Sequence, residues 1–168
     1  RREQGFRRMN DRYISAVVAE LQQIADRNTK TKCQKVPLRS IYFGGGTPSL
    51  APIESIKSIL YHACGRDNPE APFRIAVDTE ITMEMDPGTF DREHLSSLRD
   101  MGINRVSLGV QSFDDDILCA MGRTHRRADV LQAVRDIAFV FGNDLNDWEN
   151  VNYSIDLISG CPGLTPAK

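Results

Sequence analysis

Hydrophobic positions along the chain change period several times, and each change marks a predicted element. Between residues 9 and 27 they recur every three or four positions, which predicts an amphipathic helix of about five turns. Later stretches repeat this spacing and predict further helices. Asp91 caps the start of one of them, and Gly102, Gly122 and Gly142 each end one. The predicted helices are 9–27, 52–64, one that begins after Asp91, a short one that ends at Gly122, and 126–141.

Short apolar runs lie between these helices and are typical of strands buried in a parallel sheet. The predicted strands are 40–43, 74–85, 105–110 and 153–158. Strands that alternate with helices predict an α/β fold whose parallel sheet is open or curled into a barrel. A closed eight-fold barrel needs about 250 residues. We therefore expect residues 1–168 to be a single domain that forms an incomplete parallel β/α barrel.

Composition and charge are those of an ordinary globular domain. The chain is 40% hydrophobic and 26% charged, and its formal net charge of -2 gives no reason to expect binding to nucleic acid or to an anionic membrane surface. Membrane insertion is not expected either, because no apolar run approaches the roughly 18 residues needed to span a bilayer. The four cysteines, Cys33, Cys64, Cys119 and Cys161, are far apart and form no C-x-x-C pair. This favours free thiols over a local metal site. We therefore expect an intracellular, reducing location, in the cytoplasm or in an organelle such as a mitochondrion or plastid.

The ends of the predicted strands carry polar residues, and in parallel α/β folds ligands bind at these ends. Gly44, Gly45, Gly46 and Thr47 follow the first strand. Without Cβ atoms, glycines let backbone carbonyls meet an ammonium and backbone amides meet a carboxylate. By itself a glycine loop is equally typical of a tight turn, so both interpretations stay open here.

The remaining strand ends carry one candidate each. Glu84 suits ribose hydroxyls or an ammonium, or forms an ion pair inside a barrel. Gln111 follows the third strand, whereas the neighbouring Ser112 is explained by a helix cap. Arg123 suits a carboxylate, although a solvated arginine after a helix is commoner. Asp156 lies in an apolar strand and should face a ligand or hydrogen-bond donors, because burying it unpaired is costly.

Other residue types with chemical potential have plainer interpretations. His62, His94 and His125 lie on or beside helices with no two at metal-ligand spacing, so they are interpreted as surface histidines. Trp148 and Tyr153 lie around the fourth strand and are candidates for stacking on a flat ligand.

Five motifs in order resemble one known family over essentially the whole chain. They read GGGTPSL, TMEMDPGTF, GINRVSLGVQSFDD, GRTH and SIDLISGCPG. Together they resemble the radical S-adenosylmethionine (radical SAM) proteins of the oxygen-independent coproporphyrinogen III oxidase-like group. Within that group, the GRTH motif looks closer to the HemW-type haem chaperones than to the true oxidases. Any one of these motifs would be weak; their order makes the resemblance specific.

The resemblance implies a partial TIM-like core that binds S-adenosylmethionine beside a [4Fe-4S] cluster. Gly45, Gly46 and Thr47 would meet the methionine part, Glu84 and Gln111 polar atoms including the ribose hydroxyls, Arg123 the carboxylate, and Asp156 the ribose or adenine side. The family's cluster is held by a C-x-x-x-C-x-x-C run, which these 168 residues lack. The cluster ligands and the family's first strand are expected upstream of residue 1, and further core and haem-binding regions beyond the fourth strand.

Three functions remain open at this point. The first is a haem chaperone that holds haem for delivery to acceptor proteins. The second is the oxidase, in which a 5′-deoxyadenosyl radical removes hydrogen from porphyrinogen propionates to give vinyl groups. The third is a degenerate barrel without catalytic activity that serves as a protein-binding module. Whether the protein is an enzyme is therefore undecided, and the chain by itself is expected to be inactive.

Overall fold

A computed structural model of the chain describes residues 2–30, 35–142 and 150–161. Its helices and strands appear in the predicted order, with a short 3-10 helix at Pro48–Leu50 after the glycine loop. The elements are α1 Arg2–Lys30, β1 Val36–Phe43, α2 Ile53–Cys64, β2 Phe73–Met85, α3 Arg92–Asp100, β3 Arg105–Gln111, α4 Asp115–Ala120, α5 Arg127–Phe141 and β4 Tyr153–Leu157.

Two elements are longer than their hydrophobic patterns predict. α1 extends over Arg2–Lys30 rather than 9–27, because the flanking Arg, Glu, Gln and Lys residues are good helix formers without being apolar. β1 begins at Val36 rather than at residue 40. Its last residues are also less buried than expected, since Ile41 and Phe43 are half-buried and Tyr42 is exposed. The prediction of a fully buried first strand was therefore wrong.

The described strands form one four-stranded sheet in the order β1-β2-β3-β4. β2 pairs with β3 in parallel, with Glu84 beside Ser107. β3 pairs with β4 in parallel, with Ser107 beside Ser154. Consecutive strands that are parallel neighbours require crossover connections, which here contain helices. The α/β class is thus confirmed, and the topology is that of an incomplete β/α barrel.

Alternate residues of β2 and β3 lie on two chemically different faces. Met83, Met85, Val106, Leu108 and Val110 are almost completely buried. Full burial of such side chains stabilises the fold by roughly 1.5–3 kcal/mol each. The intervening positions are mainly polar, and they are Glu80, Thr82, Glu84, Arg105, Ser107, Gly109 and Gln111. The sheet therefore has an apolar face and a polar face.

The described chain divides into two compact units. The first comprises Arg1–Ile41 with Ala51–Thr79, and within it Asn10 Nδ2 on α1 donates to Ser55 Oγ on α2 at 2.9 Å. The second comprises Tyr42–Leu50 with Glu80–Lys168, and it contains the carboxyl ends of all four strands. Within it, α3 packs against α5. The extent of the domain, residues 1–168, stays a prediction.

Helix ends follow the predicted caps with one exception. Asp91 accepts a hydrogen bond from the His94 amide at the start of α3, as expected. At the start of α4 the cap is Asp114, whose Oδ1 accepts from the Asp116 and Ile117 amides. Ser112 instead accepts from the Asp114 amide, so its interpretation as the cap of α4 was wrong. None of the described helices is long and apolar enough to cross a membrane.

Candidate functional site

A polar cavity of about 250 Å³ opens at the carboxyl ends of the strands, entirely within the second unit. Its described lining residues are Gly46, Thr47, Pro48, Glu84, Met85, Asp86, Ser107, Gly109, Gln111, Arg123 and Asp156. Six of the seven residues predicted from the sequence are among them. The seventh, Gly45, is not part of the lining. Its amide donates a hydrogen bond to Glu84, which does line the cavity. The structure thus brings the predicted positions together, as the strand-end argument anticipated.

The glycine loop is shaped by backbone conformations that only glycine adopts easily. Gly45 and Gly46 have φ angles of 84° and 67°, in the left-handed region. This turn directs the Gly45 N–H to Glu84 Oε2 at 2.9 Å. The loop is therefore a tight turn that also forms part of the cavity wall, and its contact with a ligand stays a prediction.

Glu84 is held by two donors, one on each carboxylate oxygen. The Tyr42 hydroxyl donates to Oε1 at 2.7 Å, and the Gly45 amide donates to Oε2 at 2.9 Å. The hydrogen bond to Glu84, followed by partial burial, raises the pKa of Tyr42 above its ordinary value of 10.0. Tyr42 therefore stays a donor over the whole neutral range. No sequence pattern singled out Tyr42, because it lies inside a run interpreted as apolar.

Asp86 joins the glycine loop to the loop that follows α4. Its Oδ2 accepts from Thr47 Oγ1 at 3.2 Å, and its Oδ1 lies 3.6 Å from Arg123 Nη1. The sequence assigned Asp86 only to the turn at Asp86-Pro87-Gly88. The signal that was missed is strand parity, because Asp86 follows Glu84 by two residues and so lies on the same face.

Arg123 is held in place by the backbone around it. Gly122 has a φ of 70°, and the Arg123 amide donates to the Leu118 carbonyl at 2.9 Å, which closes the end of α4. The Arg126 guanidinium donates to the carbonyls of Arg123 and His125. The Arg123 side chain is 32% exposed and faces Asp86. It is therefore a cavity cation and not a freely solvated arginine.

Gln111 ends β3 in a conformation that is rare for a residue with a side chain. Its φ is 66°, and the Ser112 amide donates to the Val110 carbonyl across it at 2.8 Å. Two residues earlier, a Cβ at Gly109 would lie 2.6 Å from Asp86 Oδ1 and 3.0 Å from Gln111 Nε2. Asp86 and Gln111 therefore occupy the space that a side chain at position 109 would need.

His125 is buried, contrary to its interpretation as a surface histidine. It is 3% exposed, and its Nε2 lies 3.1 Å from the Val110 carbonyl, which can only accept. His62 and His94 are half-buried. Burial lowers the pKa of His94 below its ordinary value of 6.5, against an opposing effect of Asp91. Periodicity could not reveal the burial of His125, because it depends on a contact between the loop after α4 and the end of β3.

Asp156 meets a donor on the neighbouring strand, but its predicted burial was wrong, because Asp156 is exposed together with the flanking Ile155 and Leu157. Ser107 Oγ donates to Asp156 Oδ2 at 3.3 Å and lies 3.1 Å from Ser154 Oγ. Ser107 is buried at the floor of the cavity and was not predicted. Its parity with Arg105 and Gln111 on β3 is the signal that would have identified it.

Tyr153, one of the two aromatic candidates, does not join the site. Tyr153 is half-buried and does not line the cavity, while Trp148 lies outside the described residues. Cys33 also lies outside them. Cys64, Cys119 and Cys161 are free thiols, and burial raises the pKa of Cys64.

The described residues do not fit the [4Fe-4S] cluster that the resemblance implies. Such a cluster needs thiolates that converge on its irons. Among the described residues there is no group of three or more His, Cys, Asp or Glu side chains that could hold a metal ion. The described residues therefore include no set of ligands for such a cluster.

Comparison with known proteins agrees with this geometry. The Radical SAM superfamily model matches residues 6–143. The chain is 45% identical to the haem chaperone HemW of Synechocystis over 156 residues, which are 92% of this chain and 32% of that protein. It is 32% identical to HemW of Bacillus subtilis over 158 residues, which are 92% of this chain and 36% of that protein. The chain thus spans about a third of the length of these relatives.

A solved structure shares the fold. The coproporphyrinogen III oxidase HemN of Escherichia coli superposes with a TM-score of 0.71 over 95% of this chain and 32% of that chain, at 24% identity. This likeness shows that the two chains share a fold, including the parallel sheet. The chain therefore belongs to the Radical SAM superfamily, in its HemW/HemN-like group.

Proposed function

We propose that the protein is a radical SAM protein of haem metabolism, most similar in role to the HemW haem chaperones, and that its cavity binds S-adenosylmethionine. The observation that carries the proposal is the convergence of Gly46, Thr47, Glu84, Gln111, Arg123 and Asp156 on one cavity. The 45% identity to a curated HemW over 92% of the chain supports the choice of haem metabolism.

The charges around the cavity suit this ligand. Of the described residues that line it, Glu84, Asp86 and Asp156 are acidic and Arg123 is basic. S-adenosylmethionine carries a sulfonium, an ammonium and a carboxylate, so its net charge is positive. A cavity with an excess of carboxylates and one guanidinium complements both the net charge and the single anionic group of this ligand.

Each predicted contact follows from the chemistry of the residue. Arg123 would bind the ligand carboxylate in place of part of its contact with Asp86. Glu84 would accept from an ammonium or a ribose hydroxyl through the acceptor sites that Tyr42 and Gly45 leave unused. Gly46 and Thr47 would meet the methionine part, Gln111 the polar atoms of the ligand including the ribose hydroxyls, and Asp156 the ribose or adenine side. Bound S-adenosylmethionine would supply radical chemistry together with a [4Fe-4S] cluster, for which the described residues provide no ligands.

Haem is the proposed cargo and haem-acceptor proteins are the proposed partners. This part of the proposal rests on the HemW relatives and not on any described residue. The cluster cysteines are proposed to lie upstream of residue 1, and the compartment is proposed to be reducing. Free thiols at Cys64, Cys119 and Cys161 agree with a reducing compartment.

The second candidate is a coproporphyrinogen III oxidase, which the fold shared with HemN favours. The two functions differ in whether a porphyrinogen is converted or haem is held. The third, a barrel that acts only in protein contacts, requires that neither a cluster nor S-adenosylmethionine is bound.

One set of measurements on the full-length protein tests these functions. The protein, reconstituted with iron and sulfide, is titrated with S-adenosylmethionine by calorimetry and with haem by absorbance. In parallel it is incubated with coproporphyrinogen III, and protoporphyrinogen is measured. We expect S-adenosylmethionine and haem to bind and no protoporphyrinogen to form. Formation of protoporphyrinogen would replace the chaperone by the oxidase, and absence of any S-adenosylmethionine binding would overturn the proposed ligand.

A further inference from the structure

We propose that Tyr42 is a positioning residue for the side-chain carboxylate of Glu84. Through this contact, the Tyr42 hydroxyl determines how tightly the cavity binds a cationic ligand. The inference rests on the proposed function, because the ligand used to test it is S-adenosylmethionine. It goes beyond that function in assigning a role to a residue that does not itself line the cavity.

The first step is the way in which Glu84 is fixed. Its two oxygens are held by donors of different kinds, the Tyr42 hydroxyl at 2.7 Å and the Gly45 amide at 2.9 Å. One donor would leave the carboxylate free to rotate about its terminal torsion, which is broad in glutamate. Two donors on opposite oxygens remove that freedom. Tyr42 therefore sets the plane of the carboxylate that faces the ligand.

The second step is that this bond is built into the packing of the strand ends. A Cβ at Gly44 would lie 2.6 Å from Tyr42 Cε1 and 3.1 Å from Glu84 Oε1. The tyrosine ring therefore lies directly over Gly44, in the space that a side chain at position 44 would need. Tyr42, Gly44 and Glu84 form one packed arrangement, although the Tyr42 side chain is otherwise 55% exposed.

The third step is that the arrangement leaves room for the ligand. A carboxylate accepts about four hydrogen bonds, and Tyr42 and Gly45 use two of them. The pKa of Tyr42 is raised mainly by the Glu84 hydrogen bond, so the hydroxyl remains a donor and does not become a competing anion. Glu84 thus keeps two acceptor sites for an ammonium or hydroxyl of the ligand.

The test compares full-length reconstituted proteins by calorimetric titration with S-adenosylmethionine. Tyr42→Phe keeps the ring over Gly44 and removes only the hydroxyl. We expect it to weaken binding about tenfold, the effect of losing a hydrogen bond to a charged group. Tyr13→Phe is the matched control, because Tyr13 is an exposed tyrosine on α1 outside the cavity, and it should bind like the wild type.

A double-mutant comparison separates positioning from general weakening. In a Glu84→Gln background, Tyr42→Phe should have little further effect, because the carboxylate that it orients is gone. An equal loss in both backgrounds would contradict a role through Glu84. If the wild type binds S-adenosylmethionine and Tyr42→Phe binds it equally tightly, this inference is overturned while the proposed function stands.

A second readout does not depend on the ligand. Ultraviolet titration of the phenols should show one tyrosine with a raised pKa that disappears in Tyr42→Phe and shifts downward in Glu84→Gln. A titration curve unaffected by Glu84→Gln would overturn the inference even if the ligand binds. Absence of S-adenosylmethionine binding by the wild type, with the raised phenol pKa present, would instead overturn the proposed function and confine Tyr42 to positioning Glu84.

Discussion

The side chain of His125 donates a hydrogen bond from Nε2 to the Val110 carbonyl, 3.1 Å away. Val110 directly precedes Gln111, and His125 follows Arg123 by two residues. One buried hydrogen bond therefore connects the end of β3 with the loop after α4. The first of these segments carries Gln111, whose φ is in the left-handed region, and the second carries Arg123, the cation of the cavity.

Replacement of His125 by leucine should lower both stability and ligand affinity. It leaves a buried carbonyl with one partner fewer, which costs about 1–3 kcal/mol in the free energy of unfolding. Urea denaturation and S-adenosylmethionine titration of the full-length protein measure the two effects. His125→Gln offers an N–H at a similar distance and should recover part of both. Equal losses in the leucine and glutamine variants would show that ring packing, and not the hydrogen bond, matters.

Arg123→Ala should weaken S-adenosylmethionine binding by more than about 1 kcal/mol, because a charge-assisted contact with the ligand carboxylate is lost. Calorimetric titration of the reconstituted full-length protein measures the change. Arg135→Ala is the control, since Arg135 is exposed on α5 and does not line the cavity. If both variants bind with wild-type affinity, Arg123 does not contact the ligand.

Gly109→Ala should damage the site from within the sheet. The new Cβ would lie 2.6 Å from Asp86 Oδ1 and 3.0 Å from Gln111 Nε2, so both side chains must move. We expect a loss of about 1–3 kcal/mol in stability and weaker ligand binding. Gly5→Ala on α1 meets nothing within 4 Å and should leave stability unchanged or raise it by up to about 1 kcal/mol. Wild-type ligand affinity in Gly109→Ala would show that Asp86 and Gln111 are not required where they lie.

Stability should fall as the pH is lowered through the range in which histidine titrates, in part because of His94. Burial lowers its pKa in the folded protein, so the unfolded chain binds the proton more readily. The stabilisation is therefore complete above the unfolded value of 6.5 and is lost as pH falls toward the folded pKa. Urea denaturation at pH 7.5 and pH 5.5 should show a smaller decrease for His94→Gln than for the wild type. An identical decrease in both would exclude a contribution from His94.

The sequence determined the parts of this protein that depend on neighbours along the chain. The order of helices and strands followed from apolar spacing, and α3 begins at its predicted cap, Asp91. Strand ends could be located to within one residue for β2 and β3, and this placed Glu84 and Gln111 at the mouth of the sheet. The physical reason is that helix and strand periods, caps and turns are set by residues two to five positions apart.

Only the tertiary structure decided which side chains meet. Tyr42 on β1 donates to Glu84 on the neighbouring β2. Asp86 contacts both Thr47 and Arg123, and His125 is buried against Val110. Each of these contacts joins residues 15 to 42 positions apart. They depend on which strands are neighbours, on their register and on the path of the loops, and these follow from packing of the whole sheet and not from any local pattern. The sequence thus located the cavity, and the fold supplied the partners that orient its charged groups.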